Sequence, residues 1–320
     1  MYKSLSAAAV LTAASLAPLQ AQTNSQCANQ TFERARNVCD AGVDGARLFH
    51  PVVGLLVAGG NPALGAVAPL GGFPHASIGL RVNAVRVVTP DLNYNGNGRV
   101  VQADQSITAP APSVEAAVGI FRGIGRGNLA VDALGAAQLL PTDQIDNVRV
   151  SDDARRVGSV ALAFGYGARV TVLGGYGAAP AVSVSVMRRS IPRIDVGDVA
   201  SGDRYAFGSD LDATSVRLVV GKTLGPLSVA AGIGRDRYTG DADITYRDPI
   251  SDAIQPVVRI ALKDTRSLGF LNAALSLGGI RLAAEIGQQQ GSDLGLGTTF
   301  EQNDPSDGRL FGGVGLRVAF

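Results

Sequence analysis

The sequence predicts an all-β fold, a transmembrane antiparallel β-barrel of about ten strands with a short N-terminal helical or irregular plug. Three observations carry this. The chain is apolar, with 17% charged residues and a mean hydropathy of +0.18, yet past its first segment no apolar run is long enough for a membrane helix. From Ala76 onward, apolar residues alternate with small or polar ones at the period of a strand. The links between these segments are short and glycine-rich on one side, long and polar on the other.

Residues 1–21 read as a signal peptide: Lys3 gives a positive start, Ser6 to Leu19 an apolar stretch, and Leu19-Gln20-Ala21 a small-residue cleavage site. Residues 22–75 form a plug or cap, expected at the periplasmic, short-turn end. In it, Thr31 to Asp40 is charged and helix-compatible, His50 to Leu56 is apolar, and Gly59-Gly60-Asn61-Pro62 is rich in turn residues. Cys27 and Cys39 are the chain's two cysteines, and in an oxidising compartment a close pair reads as a disulfide. Closing so short a loop contributes about 3 kcal/mol in the chain-entropy model.

Residues 76–320 form the barrel. Ile78, Leu80, Val82 and Ala84 alternate with Gly79, Arg81 and Asn83. Val160 to Val170, Leu227 to Ile233 and Leu271 to Leu277 repeat the pattern, and the last strand runs from about Leu310 to Phe320. The short links fall at residues 123–127, 174–179, 225–226 and 278–279. The long ones fall at 90–112, 141–156, 191–210, 239–266 and 289–307. The fourth long link alternates internally, as a hairpin continuing above the membrane or as two further strands. Aromatics make up only 5% of the chain and Trp is absent, so Phe121, Phe164, Tyr166, Tyr238, Phe270 and Phe320 give a sparse interfacial girdle at most.

One strand face is aliphatic. The other carries Arg81, Asn83, Glu115, Asp132, Arg169, Arg189, Arg217, Arg281, Glu285 and Arg317. A soluble barrel would turn the charges to water; a membrane barrel turns the aliphatic side to lipid and the charges to the lumen. A narrow lumen with both signs of charge makes a structural ion-pair network, or a polar pathway lined by arginines.

His50 and His75 are the only histidines, and both lie outside the strands. No strand offers a Ser-His-Asp arrangement, so no catalytic residues and no enzyme activity are expected. The net charge of +1 gives no footprint for nucleic acid. Asn93, Asn95, Asn97 and Asp104, with Gly98 at the turn, resemble the oxygen-ligand spacing of an EF-hand-type calcium loop. The alternative is an asparagine-glycine surface turn. No other cofactor is implied.

The C-terminal strand, with Gly315, Val318 and the final Phe320, resembles the assembly signal of bacterial outer-membrane β-barrel proteins, with Gly313 where a polar residue is usual. The resemblance implies a bacterial outer-membrane location, contact with its lipid, and recognition by barrel-assembly machinery. Gly59-Gly60-Asn61-Pro62-Ala63-Leu64-Gly65 resembles the element before the first strand of FadL-type transporters. That resemblance implies a lumen plug, with residues 40–72 as gate, and the passage of unidentified hydrophobic molecules. Those proteins are longer, so no substrate residue carries over. The expected function is a channel or passive transporter of small or hydrophobic molecules. The alternative is a non-transporting structural or surface-interaction barrel acting through its long loops.

Overall fold

The computed structural model describes residues 24–125, 127–141, 147–157 and 160–320. The signal peptide expected at 1–21 lies outside the described residues. The helix α1 spans Glu33–Ala58. Ten long strands follow: β1 Ala76–Pro90, β2 Ala103–Phe121, β3 Ala130–Pro141, β4 Val160–Gly174, β5 Ala181–Val196, β6 Tyr205–Leu224, β7 Leu227–Tyr246, β8 Val258–Leu277, β9 Ile280–Gln289 and β10 Arg309–Ala319. Each pairs antiparallel with the next, and β10 pairs with β1 from Ser77↔Ala319 to Val85↔Phe311. The sheet is therefore a closed antiparallel barrel, a form in which strand pairs with strand all the way round.

Along β7, Leu227, Val229, Ala231 and Ile233 are outward and the small residues Ser228 and Ala230 inward. Higher on the same strand the parity holds but the polarity swaps. Arg235 and Arg237 are exposed, whereas Tyr238, Ala242, Ile244 and Tyr246 are buried inside. The same swap occurs on β8, from outward Leu271 to outward Thr265 and Lys263, and on β6, from outward Val216 to outward Thr214 and Asp210. The lower belt is thus built for hydrocarbon outside, and the upper extension for water. Nine residues such as Leu227 to Arg235, tilted by about 40°, rise roughly 23 Å, close to the apolar band of membrane barrels.

The upper halves of β2 and of β5 to β8 fall within links that the sequence suggests are loops. Both faces there are mixed, so hydrophobic period alone does not mark them, but the ladder bonds form nonetheless. The fourth long link is a continuation of β7 and β8, paired as far as Ile244↔Val258, and adds no membrane strand. The girdle is also thinner than expected. Tyr238 and Phe270 are buried in the lumen because they share parity with the inward Asp236 and Asn272, whereas Phe121, Phe164, Tyr166 and Phe320 are exposed.

The N-terminal segment is not a cap on the short-turn end. α1 has 26 residues, about 39 Å at the usual rise, and runs down the lumen with its N-terminal end among the long links. Asn37 Nδ2 donates to Gly96 O (3.0 Å) and Gly98 O (2.8 Å) in the first long link. Thr298, in the last long link, donates its N–H and Oγ1 to Asp44 Oδ2 (2.8 and 2.9 Å). The chain then descends through residues 59–75 and enters β1 beside Phe320, with Ala76 N–H donating to Phe320 O (2.8 Å). The helix is buried on nearly every side because a barrel surrounds it. Glycines make the fit: a Cβ on Gly54 would stand 2.5 Å from the Tyr238 ring, and one on Gly42 2.5 Å from Ile244 Cγ2. Cys27 and Cys39 are joined in a disulfide with Cα atoms 5.7 Å apart, fastening the segment before α1 to its second turn.

Candidate functional site

The lumen below α1 is where wall and plug meet. β1, β2, β3, β4, β5, β6, β9 and β10 each turn at least one charged side chain inward, since alternation sends every second residue there. Arg81, Glu115, Asp132, Arg169, Arg189, Arg217, Glu285 and Arg317 are buried, and Arg281 is half-buried. Arg217 Nη1 and Nη2 donate to Asp236 Oδ1 (2.6 Å) and Oδ2 (3.0 Å), and both side chains are fully buried. Arg169 pairs with Asp132 at 2.7 Å, and Arg81 with Glu285 at 2.8 Å and Glu115 at 3.3 Å.

These arginines also hold the plug by its backbone. Arg217 donates to Ala58 O (2.8 Å) and Gly60 O (2.9 Å), and Arg81 to Gly59 O (3.0 Å) and Asn61 O (2.6 Å). Lower down, Arg317 donates to Leu64 O (3.4 Å), Arg281 to Gly65 O (3.1 Å) and Arg169 to Ala68 O (3.3 Å). The carboxylates take the plug's donors: Glu285 Oε2 accepts from Asn61 N–H (2.9 Å) and Asp132 Oδ1 from Leu70 N–H (3.3 Å). Six arginines face four carboxylates here, so two positive charges are left over. Arg217 and Arg81 meet the C-terminal end of α1, whose free carbonyls form the negative pole of the helix dipole, while Arg281 and Arg317 have plug carbonyls and no carboxylate as partners among the described residues. The network is thus a clamp that needs the plug to complete it. Arg189 stands apart, with Nε and Nη1 buried and without a hydrogen-bond partner among the described residues.

Sequence reasoning missed Asp236, Tyr238 and Gln289, which form a buried chain from Arg217. Tyr238 Oη donates to Asp236 Oδ2 (3.0 Å), and Gln289 Nε2 donates to Tyr238 Oη (2.9 Å). The signal was parity, since Asp236 lies an even number of residues above Ser228 on β7. His50 lies on α1 with its ring 6.5 Å from that of Tyr238 in an edge contact, and His75 Nδ1 lies 3.0 Å from Gly72 O at the barrel floor. The two are not brought together.

In the first long link, Asn93, Asn95 and Asn97 are exposed, and Asn95 Oδ1 accepts from Asn97 N–H in its own turn (3.1 Å). Asp104 is exposed at the start of β2. No group of three or more His, Cys, Asp or Glu side chains among the described residues is placed to hold a metal ion. The loop's carbonyls face the plug, and burial raises the Tyr94 phenol above its usual pKa. At the C-terminus, Val318 and Phe320 lie on the outward face and Gly315 on the inward one. A Cβ at Gly315 would stand 2.8 Å from Leu64 Cδ2 of the plug.

Above Ser113 the wall has a seam. Among the described residues, pairing of β2 with β3 stops at Ser113↔Gln138, although β2 continues to Ala103 and β3 to Pro141. Pro110 and Pro112 offer no N–H there, and Gln138 Nε2 donates to Pro112 O (3.2 Å) at the seam's lower end. A cavity of about 250 Å³ fills the gap between seam and α1, lined by Phe49, Val53, Leu56, Ile107, Pro110 and Leu140 among others.

No protein-family model and no curated protein sequence matches the chain. Solved structures of similar shape are outer-membrane barrels. The outer-membrane protease OmpT from Escherichia coli is 10% identical, with a TM-score of 0.40, covering 77% of this chain and 96% of its own. The translocator domain of autotransporter NalP from Neisseria meningitidis is 14% identical, with a TM-score of 0.33, covering 91% and 100%. The toluene transporter TodX of P. putida is 9% identical, with a TM-score of 0.28, covering 77% and 89%. At these scores the barrel assignment rests on the closed strand order and the outward aliphatic belt.

Proposed function

We propose that this chain is an outer-membrane barrel that passively admits small apolar molecules, with α1 and residues 59–75 as its gate. The observation that carries this is the apolar cavity at the β2–β3 seam. A sealed structural barrel has no use for an apolar void beside an unpaired stretch of wall. About 150 Å³ of dry apolar space suffices for benzene, so 250 Å³ suits a one- or two-ring hydrocarbon or a short acyl chain. The seam lies at the top of the outward aliphatic belt, where Pro110 gives way to exposed Thr108 and Ser106. A molecule dissolved in the bilayer would reach the cavity there without crossing the charged lumen. Passage onward requires the clamp to loosen, because the arginines and the plug fill the path below. In this the chain would resemble the FadL-type proteins suggested by Gly59 to Gly65.

Uptake of radiolabelled naphthalene by cells producing the protein tests this. The native chain should raise uptake above vector control, Ala109→Phe should abolish the gain by filling the cavity, and Leu140→Ala should retain it. Equal uptake for the native chain and Ala109→Phe, with both barrels folded by heat-modifiable migration, would overturn it. The second reading is a surface-interaction barrel. It is favoured by the first and last long links, which pair at Thr299↔Val100 and Phe300↔Val101 to form a built surface over α1. Under that reading, loop replacement removes the phenotype and cavity variants do not.

A further inference from the structure

We propose that this barrel displays its own N-terminal segment on the cell surface, with residues 24–32 forming a disulfide-closed knob outside the membrane. The first observation is direction. β1 begins and β10 ends at the short-turn end, yet Asn24 lies at the opposite end of the lumen. Its backbone N–H donates to Asp40 Oδ1 (3.0 Å), and its Nδ2 donates to Asp44 Oδ1 (3.1 Å). Asp44 is in turn held by Thr298 of the last long link. Membrane barrels keep short turns in the periplasm and long loops outside, so the chain crosses the wall's full height between Asn24 and Ala76.

The second observation is anchorage. Arg34 Nε donates to Asn95 O (3.2 Å), Arg47 Nη1 to Asn24 Oδ1 (2.5 Å), and Cys27 is bonded to Cys39. The knob is therefore fixed to α1, and the first turn of α1 is fixed to the first long link. The third is exposure: Ser25, Gln26, Ala28, Asn29, Thr31 and Phe32 all face solvent. A plug that only closed a pore from below would need neither a through-going helix nor a cross-linked knob at the far mouth. A peptide joined ahead of Asn24 would accordingly be carried out with it.

The chain supplies its own orientation markers. Lys263 is exposed on the outer face of β8 above the aliphatic belt. Lys222 lies at the short-turn end, where its Nζ donates to Ala179 O (2.7 Å). Asn29→Lys adds one amine at an exposed position whose side chain makes no hydrogen bond among the described residues. Intact cells producing this full-length variant are treated with a membrane-impermeant amine reagent, and the labelled peptides are identified by mass spectrometry. Position 29 should label together with Lys263, and Lys222 only after the outer membrane is permeabilised. Labelling of position 29 only after permeabilisation, together with Lys222, overturns the proposal. So does the inverse pattern, with Lys222 labelled on intact cells and Lys263 protected.

Discussion

Replacing Arg217 by methionine removes one side chain from both the wall and the gate. The guanidinium is fully buried and makes two bonds to Asp236 and two to the plug carbonyls of Ala58 and Gly60. Methionine fills similar volume, so the loss is electrostatic and not a cavity. Among the described residues, Asp236 keeps the Tyr238 hydroxyl, at 3.0 Å, as its remaining side-chain donor. Removing one partner of a buried pair costs about 3–5 kcal/mol. Each orphaned plug carbonyl adds about 1–3 kcal/mol against the closed state. The double variant Arg217→Met/Asp236→Leu separates these effects. It removes the stranded carboxylate, so barrel stability should largely return, while the two carbonyls stay unpaired and the plug stays loose. Stability is read from the temperature at which heat-modifiable migration is lost, and plug release from conductance in planar bilayers. The single variant should melt well below the native chain and show openings. The double variant should melt near native and still show openings. A single variant with native melting, or a double variant that stays closed, refutes the clamp.

Gly60→Ala should also weaken the gate, because Gly60 has φ +79° and a Cβ there would overlap the Glu285 carboxylate; failure to lower the melting temperature would count against the plug geometry. Cys27→Ser with Cys39→Ser should lose about 3 kcal/mol of local stability at the knob, seen as faster proteolysis of residues 24–32 while the barrel keeps its migration. Deleting Phe320 should reduce the fraction of chain that assembles, because it exposes the Ala76 end of the β1–β10 junction and removes the aromatic terminus; unchanged assembly yield would remove the assembly-signal reading.

Strand parity made much of the wall legible. Arg81, Asp132, Arg169 and Arg217 could be assigned inward because each sits between aliphatic neighbours that cannot share its face. Asp236 escaped because its neighbours Arg235 and Arg237 are also charged, so hydrophobic contrast vanishes at the height where water replaces lipid. Tyr238 and Phe270 were misplaced for a related reason: an aromatic suits a lipid interface and a lumen equally well, and only counting residues from Ser228 or Asn272 decides. The threaded helix was least legible. A helix enclosed by a barrel is buried on nearly every side, and its polar row of Asn37, Asp40 and Asp44 meets the long links and the N-terminal segment, partners that the sequence alone does not name. Gly42, Gly45 and Gly54 were the available sign, since a helix rarely carries three glycines unless something packs closely against it. The seam was visible only as two prolines in an alternating stretch, Pro110 and Pro112, which reads as a loop until the neighbouring strand is known.

Aliphatic residues of the lower belt should touch hydrocarbon, while the same strands, higher up, face water. The chain contains no tryptophan, so a single introduced one reports its own surroundings. Leu271→Trp and Thr265→Trp place reporters on the outer face of β8, in the belt and above it. In bilayers of brominated lipid, the reporter at 271 should be strongly quenched and insensitive to aqueous iodide, and the reporter at 265 should show the reverse. Equal iodide quenching at both positions, with the protein soluble in the absence of detergent, would contradict the account.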